Sequence, residues 1–181
     1  TFNDGGRQLE GHDLVEFLRG CDKAITALER LDEFVLSRLP ELKVVGKYGV
    51  GLDMIDLDAM RKYGKRLGWT GGVNKRSVSE LVISFAVAML RHVPAAHREV
   101  LAGNWRQHVG GYLTGRTVGI IGCGNIGKDL VSLLKPFQCP ILVYDIREYR
   151  EFYESHAIEA VSLENLLMRS DIVTLHVPLD D

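Results

Sequence analysis

Short apolar runs alternate with amphipathic stretches over the first 75 residues. The spacing predicts a helix over Asp13 to Arg19, with Leu14, Phe17 and Leu18 on one side. Lys23 to Leu28 reads as a strand. Glu33 to Leu39 reads as a short helix closed by Pro40, and Leu42 to Val45 as a β-branched strand ending at glycine. Ile55 to Tyr63 is helical, with Asp53 or Asp56 as cap candidates and Gly64 at its end. Leu67 to Trp69 begins a further strand.

Gly71-Gly72-Val73-Asn74 interrupts this pattern and marks a boundary. Ser77 then reads as a cap, with Ser77-x-x-Glu80 as a capping box. Residues 78–91 are apolar nearly all round, which predicts a helix buried on several sides. Ala95 to Leu101 continues as a more polar helix, and Trp105 to Gly115 is irregular. From Thr117 the alternation of strand and helix is clear. Strand 117–121 precedes helix 125–135, which Pro136 stops. Strand 141–144 leads into a polar stretch that reads as helix or loop, and a short strand near Ile158 to Val161 follows. Helix Leu163 to Met168 and strand Ile172 to Leu175 close the series. This order predicts the start of a parallel, doubly wound α/β sheet.

Composition narrows the function classes. Hydrophobic residues make up 46% and charged residues 25%, a globular balance, and the net charge of −2 gives no general attraction to nucleic acid or a membrane surface. The apolar run Leu81 to Leu90 is too short to span a bilayer. Cys21, Cys123 and Cys139 are odd in number and far apart, which points to a reducing, cytoplasmic setting without a zinc site.

The chemistry concentrates at Gly122-Cys123-Gly124-Asn125-Ile126-Gly127. This G-x-G-x-x-G follows a strand, opens a helix, and has an acid, Asp145, 18 residues past its last glycine. The first glycine makes a tight turn, the second admits a pyrophosphate, and the third lets helix and strand pack closely. The free N–H groups at the helix start then face the phosphates. The bland alternative is a structural glycine turn. Asp145 is placed to accept from ribose hydroxyls and to repel a 2′-phosphate, so NAD is expected over NADP. Arg147 either softens that preference or is a solvated loop residue. Cys123 needs only to be small. His176, at the end of the last strand, has a binding-site location together with Val177 and Pro178, but no carboxylate partner is evident. His12, His92, His97, His108 and His156 lie on polar stretches and are expected at the surface.

Five segments in this order resemble the D-isomer-specific 2-hydroxyacid dehydrogenases. They are Lys47-Tyr48-Gly49-Val50-Gly51-Leu52-Asp53-Met54-Ile55-Asp56, Asn74 to Leu81 (the N-x-x-S-V-A-E pattern), Gly103-Asn104-Trp105, Gly115 to Gly122, and Ser170 to Leu179 (S-D-x-V-x-L-H-x-P-L). Asn74 to Ile83 and the glycine loop look most like phosphoglycerate dehydrogenases. Two departures stand out. Thr26-Ala27-Leu28-Glu29 lacks the arginine that clamps a substrate phosphate, with only Arg30 near, and Thr70-Gly71-Gly72 lacks the usual proline.

The resemblance implies an NAD-dependent oxidoreductase acting on a small D-2-hydroxy acid, with 3-phosphoglycerate the leading substrate. It implies two doubly wound parallel-sheet domains, both incomplete: a flavodoxin-like substrate domain over 1–75 and a Rossmann NAD domain over 76–181. Tyr48, Gly49, Val50 and Gly51 would hold the substrate carboxylate. Gly122, Gly124, Asn125, Ile126 and Gly127 would cradle pyrophosphate, Asp145 the ribose, Val78 the nicotinamide, and His176, Val177 and Pro178 the adenosine side. The helices from Ser77 to Leu101 would join a homodimer or higher homo-oligomer. The family's arginine, glutamate and acid/base histidine lie beyond the last motif, and the substrate domain's opening strand and helix are also missing. The expectation is therefore a truncated copy with no catalytic residue of its own. The alternative is an NAD(H)-sensing protein of corepressor type on the same scaffold.

Overall fold

Seven strands form two separate parallel sheets in the computed structural model, which describes residues 2–178. Leu179, the last residue of the Ser170 motif, lies outside the described residues. The chain divides into two compact units, Thr1–Val73 and Asn74–Asp181.

The first unit contains α1 (Gly11–Leu18), β1 (Lys23–Thr26), α2 (Glu33–Ser37), β2 (Val44–Lys47), α3 (Leu57–Lys62) and β3 (Arg66–Gly68). Its sheet order is β1-β2-β3, all parallel. Leu14, Val15 and Leu18 of α1 pack with Val35 and Leu36 of α2, Val45 of β2, and Ala59 and Met60 of α3. Each large side chain buried there contributes about 1.5–3 kcal/mol. Two helices start on aspartate caps. Asp32 accepts from the Val35 amide at 3.0 Å, and Asp56 accepts from the Ala59 amide at 2.8 Å. Asp56, not Asp53, is therefore the cap of α3.

The second unit contains α4 (Lys75–Leu90), α5 (Val93–Leu101), β4 (Val118–Ile121), α6 (Asn125–Leu134), β5 (Ile141–Tyr144), α7 (Arg150–His156), β6 (Glu159–Ala160), α8 (Leu163–Arg169) and β7 (Ile172–Leu175). Its strand order is β6-β5-β4-β7, all parallel. The chain starts at β4, winds outward through β5 and β6, then returns to the other side of β4 as β7. That reversal beside β4 is where doubly wound sheets open a crevice for ligands.

Three expectations need correction here. The helix start at Ser77 is displaced: α4 begins at Lys75 with Asn74 as the cap residue, and no capping box forms. Ser77 sits inside the first turn, where its hydroxyl donates back to the Asn74 carbonyl at 2.9 Å. Second, α4 is not covered on several sides within the chain. Val82, Ile83, Ala86 and Leu90 pack on the core of this unit. Phe85 and Met89, at 58% and 71% exposure, do not. Third, Pro136 lies within a short 3₁₀ turn (Lys135–Phe137) that extends α6. The polar stretch after β5 contains α7.

The contact between α4 and α6 is polar as well as apolar. Ser79 is fully buried, and its hydroxyl reaches the Lys75 carbonyl at 2.9 Å and the Ile126 carbonyl at 3.3 Å. Arg76 donates to the buried Asp129 carboxylate at 3.0 Å. Removing that arginine would strand a buried charge, the costly way to break such a pair. No single helix among the described residues is long and apolar enough to cross a membrane. The pair α4 and α5 passes by length and composition together but is bent by 61°.

Candidate functional site

Val118 and Ile120 of β4 are buried almost completely, which fixes the strand in the middle of its sheet. The chain then has to leave the sheet and enter α6 within three residues. Gly122 does this at φ +92, a region that residues with a β-carbon rarely adopt. A β-carbon there would lie 2.8 Å from the His176 carbonyl oxygen. A β-carbon on Gly127 would lie 2.5 Å from the Gly122 carbonyl oxygen. Gly124 differs from both, since a β-carbon there meets nothing within 4 Å. The first and third glycines are thus required by the protein's own packing, whereas the second leaves open space in front of the helix.

That open space faces unsatisfied donors. The first intrahelical bond of α6 runs from the Lys128 amide to the Gly124 carbonyl at 3.0 Å. The amides of Asn125, Ile126 and Gly127 donate to no acceptor among the described residues, and Gly124 supplies no side-chain cap. Converging N–H groups and the positive end of the helix dipole make this an anion site. The residues present therefore fit a dinucleotide's pyrophosphate.

Asp145 follows β5 at the same end of the sheet. One carboxylate oxygen accepts from the Cys123 amide at 2.6 Å and the other from the Arg147 amide at 2.8 Å. Each oxygen keeps a second lone pair, so the half-exposed carboxylate can still accept from a hydroxyl. Cys123 is fully buried, and burial, opposed by Lys128 and aided by Asp145, pushes its thiol up to about 11. It is a neutral packing group, with none of the thiolate character that reactivity requires.

β7 brings the third piece. The His176 amide donates to the Ile121 carbonyl at 2.8 Å, which holds 176–178 beside the Gly122 turn. The imidazole is half-buried, with Nε2 at 3.0 Å from the Thr174 hydroxyl. Burial lowers its pKa, so it stays neutral where a free histidine begins to take a proton. Val177 and Pro178 are exposed. Val78 is half-buried in the first turn of α4, one residue before the Ser79 contact to α6. Gly122, Gly124, Asn125, Ile126, Gly127, Asp145, His176, Val177 and Pro178 thus converge on one end of one sheet, and Val78 lies on the helix packed beside it.

The second predicted site belongs to the first unit. Tyr48 follows β2 and donates its amide to the Thr26 carbonyl at 2.8 Å, while its ring is 79% exposed. Gly49 has φ +125. The amides of Gly49, Val50 and Gly51 donate to no acceptor among the described residues, and the Trp69 indole N–H holds the Val50 carbonyl at 3.0 Å. A loop of free amides at a strand's carboxyl end suits a small anion. Arg30, the sole arginine near Thr26 to Glu29 in sequence, is exposed and lies 4.0 Å from Asp32.

Residues 83–181 match the family model described as D-isomer specific 2-hydroxyacid dehydrogenase, NAD binding domain. The chain belongs to this family. Its relatives include a glyoxylate reductase from Korarchaeum cryptofilum, 34% identical over 93% of this chain and 53% of that protein. A D-3-phosphoglycerate dehydrogenase from Methanocaldococcus jannaschii is 33% identical over 94% of this chain and 33% of that protein. Among solved structures, D-lactate dehydrogenase from Aquifex aeolicus, complexed with NAD and lactic acid, superposes with a TM-score of 0.82 at 26% identity. That match covers 92% of this chain and 51% of the other. The chain therefore spans about half the length of the glyoxylate reductase and a third of the phosphoglycerate dehydrogenase. The matched residues 83–181 include the glycine turn, Asp145 and His176, so the family's NAD binding domain is where this geometry sits.

Two features of the second unit are not fixed by the sequence. The stretch that holds Tyr149, Phe152 and Tyr153 reads as helix or loop, and the structure makes it helix, with aromatics at i, i+3 and i+4 on one face. The sequence also places His108 at the surface. That side chain is 16% exposed and bonds Glu99 at 2.9 Å.

Gly124 and Gly127 yield separable outcomes. Gly127→Ala forces a β-carbon onto a backbone oxygen and is expected to destabilise by about 1–3 kcal/mol, as overpacking does. Gly124→Ala is expected to melt like the parent yet lose NADH affinity, because the methyl enters the ligand's space. Thermal unfolding with NADH titration checks both. A strongly destabilised Gly124→Ala, or one with parental affinity, contradicts the assignment.

Proposed function

We propose that this chain is the cofactor-holding and part of the substrate-holding portion of an NAD-dependent oxidoreductase that acts on a small D-2-hydroxy acid or its 2-oxo partner. The observation that carries the reading is the open space before Gly124, bordered by free amides on one side and the Asp145 carboxylate on the other. Asn125 and Ile126 would hold the pyrophosphate, Asp145 the adenosine ribose, and Val177 and Pro178 the adenosine flank, while Val78 would lie against the nicotinamide. Bound NAD would supply hydride chemistry. The chain's own residues bind and orient it.

Asp145 also sets cofactor choice. A fixed negative charge at the ribose edge opposes a 2′-phosphate. The chain is therefore expected to bind NADH more tightly than NADPH, and Asp145→Ala to narrow the gap. Fluorescence titration with both cofactors measures this, and equal affinities in the parent chain would contradict it.

The substrate's carboxylate is assigned to the amides of Gly49, Val50 and Gly51, next to the exposed Tyr48. The relatives named glyoxylate reductase and D-lactate dehydrogenase support a small unphosphorylated acid, and the exposed Arg30 beside Asp32 gives a phosphorylated one little to hold. The 181 residues alone are expected to show no hydride transfer. The one histidine–carboxylate pair among the described residues is His108–Glu99. The His108 ring lies 5.8 Å from that of His92, which shares a hollow with Arg116 and Asp171 at the amino-terminal ends of β4 and β7, the opposite end from the glycine turn. Assay with glyoxylate, hydroxypyruvate, lactate and 3-phosphoglycerate tests this, and turnover above background would make His176 the first residue to mutate. Full inactivity in a protein of the relatives' length, with NADH binding retained, would favour the nucleotide-sensing alternative.

We further propose a reducing, cytoplasmic setting, in keeping with three free cysteines, and self-association through α4 and α5. Leu81, Phe85, Met89, Val93 and Leu101 are exposed on these helices, more apolar surface than a monomer usually leaves open. Sedimentation is expected to show dimers or larger species, and a monodisperse monomer would refute the interface.

A further inference from the structure

Behind Asp145 lies a cation packed on aromatic rings for which nucleotide contact alone gives no reason. Lys128, on the first turn of α6, places its ammonium 3.6 Å from the centroid of the Tyr149 ring and 5.4 Å from that of Phe152. Glu148 and Glu151 line the same hollow, yet Lys128 forms no ion pair among the described residues, and Glu148 is held by Arg150 at 2.9 Å. Tyr149 is the residue from which α7 starts. It meets Tyr153 edge-on at 6.2 Å, and Tyr153 is buried with its hydroxyl 3.5 Å from the Arg147 carbonyl.

These contacts close a loop. The helix that begins in the glycine turn reaches through Lys128 to Tyr149. The backbone from Tyr149 runs back to Asp145. Asp145 returns to the glycine turn through the Cys123 amide. We propose that Lys128 and Tyr149 act as a brace that fixes the Asp145 turn, and so are positioning residues for the ribose end of the dinucleotide. This rests on the NAD reading above. Residues 145–149 are exposed or half-exposed, and a carboxylate aims well only if its backbone is held. A lysine that merely attracted phosphate would gain nothing from an aromatic face, whereas a cation–π contact ties two helices together without neutralising the site's charge.

The test uses the 181-residue chain and four variants: Lys128→Met, Lys128→Arg, Tyr149→Leu and Tyr149→Phe. Two quantities are read. One is amide hydrogen exchange at Cys123 and Arg147 without ligand, resolved by NMR, and the other is affinity for NADH and NADPH. The brace predicts faster exchange at both amides in Lys128→Met and Tyr149→Leu. It predicts NADH affinity lowered about threefold, the size of a partly exposed cation–π contact, with NADPH changed less. Lys128→Arg and Tyr149→Phe keep a cation and a ring and should behave like the parent. Unchanged exchange in both disruptive variants overturns the proposal. Weakening in Lys128→Met but not Tyr149→Leu also overturns it, in favour of direct attraction to phosphate. A parent chain that fails to bind NADH defeats the nucleotide reading, while the exchange comparison still decides the brace.

Discussion

Close backbone approach at the turn between β4 and α6 is the constraint on which the second unit depends. Gly127 must bring α6 against the Gly122 carbonyl, and Gly122 must pass under the His176 carbonyl, with no β-carbon at either point. Those two contacts set where α6 points and where the chain after β7 runs. They also leave the amides of Asn125, Ile126 and Gly127 without internal partners. Those amides stay uncapped because the cap position is Gly124, which has no side chain to accept from them.

Electrostatics then gives the site its preference. Asp145 is a negative charge placed beside a cluster of positive partial charges, and it uses one lone pair on each oxygen to hold backbone amides at 2.6 Å and 2.8 Å. Charge-assisted bonds of this kind are about twice as strong as neutral ones. They fix the carboxylate where β5 ends, beside the glycine turn. The Lys128–Tyr149 contact extends the same logic outward, by fixing the backbone from which that carboxylate projects. The neutral, buried Cys123 and half-buried His176 add shape and little charge.

The β4–α6 turn is legible in the sequence because three glycines, an apolar strand and a distant acid must coincide for it, and few other structures need that combination. The convergence of Gly122, Asp145 and His176 is legible for a related reason: strands of a parallel sheet end on one side. Helix starts are less legible. Ser77 resembles a cap, but Asn74 lies one turn earlier and the serine hydroxyl serves its carbonyl instead. The packing of α4 is opaque for a different cause. Its apolar residues call for burial all round, yet only the stripe through Val82, Ile83, Ala86 and Leu90 finds a partner within the chain. Helix α7 stays open between helix and loop in the sequence because Arg150, Glu151 and Glu154 mask its aromatic face in any measure of average polarity. In the first unit, Asp53 and Asp56 are equal cap candidates until the backbone shows which of them precedes the helix.

The proposed function stands on one dinucleotide site built from the glycine turn, Asp145 and the residues after β7. An NADH titration of the isotopically labelled chain, followed amide by amide, decides whether that site exists. Saturable shifts are expected at Gly124, Asn125, Ile126, Asp145 and Val177, with the hollow around His92, Arg116 and Asp171 unchanged. Shifts confined to that opposite end of the sheet, or saturation with no change at Asn125 and Ile126, would contradict it.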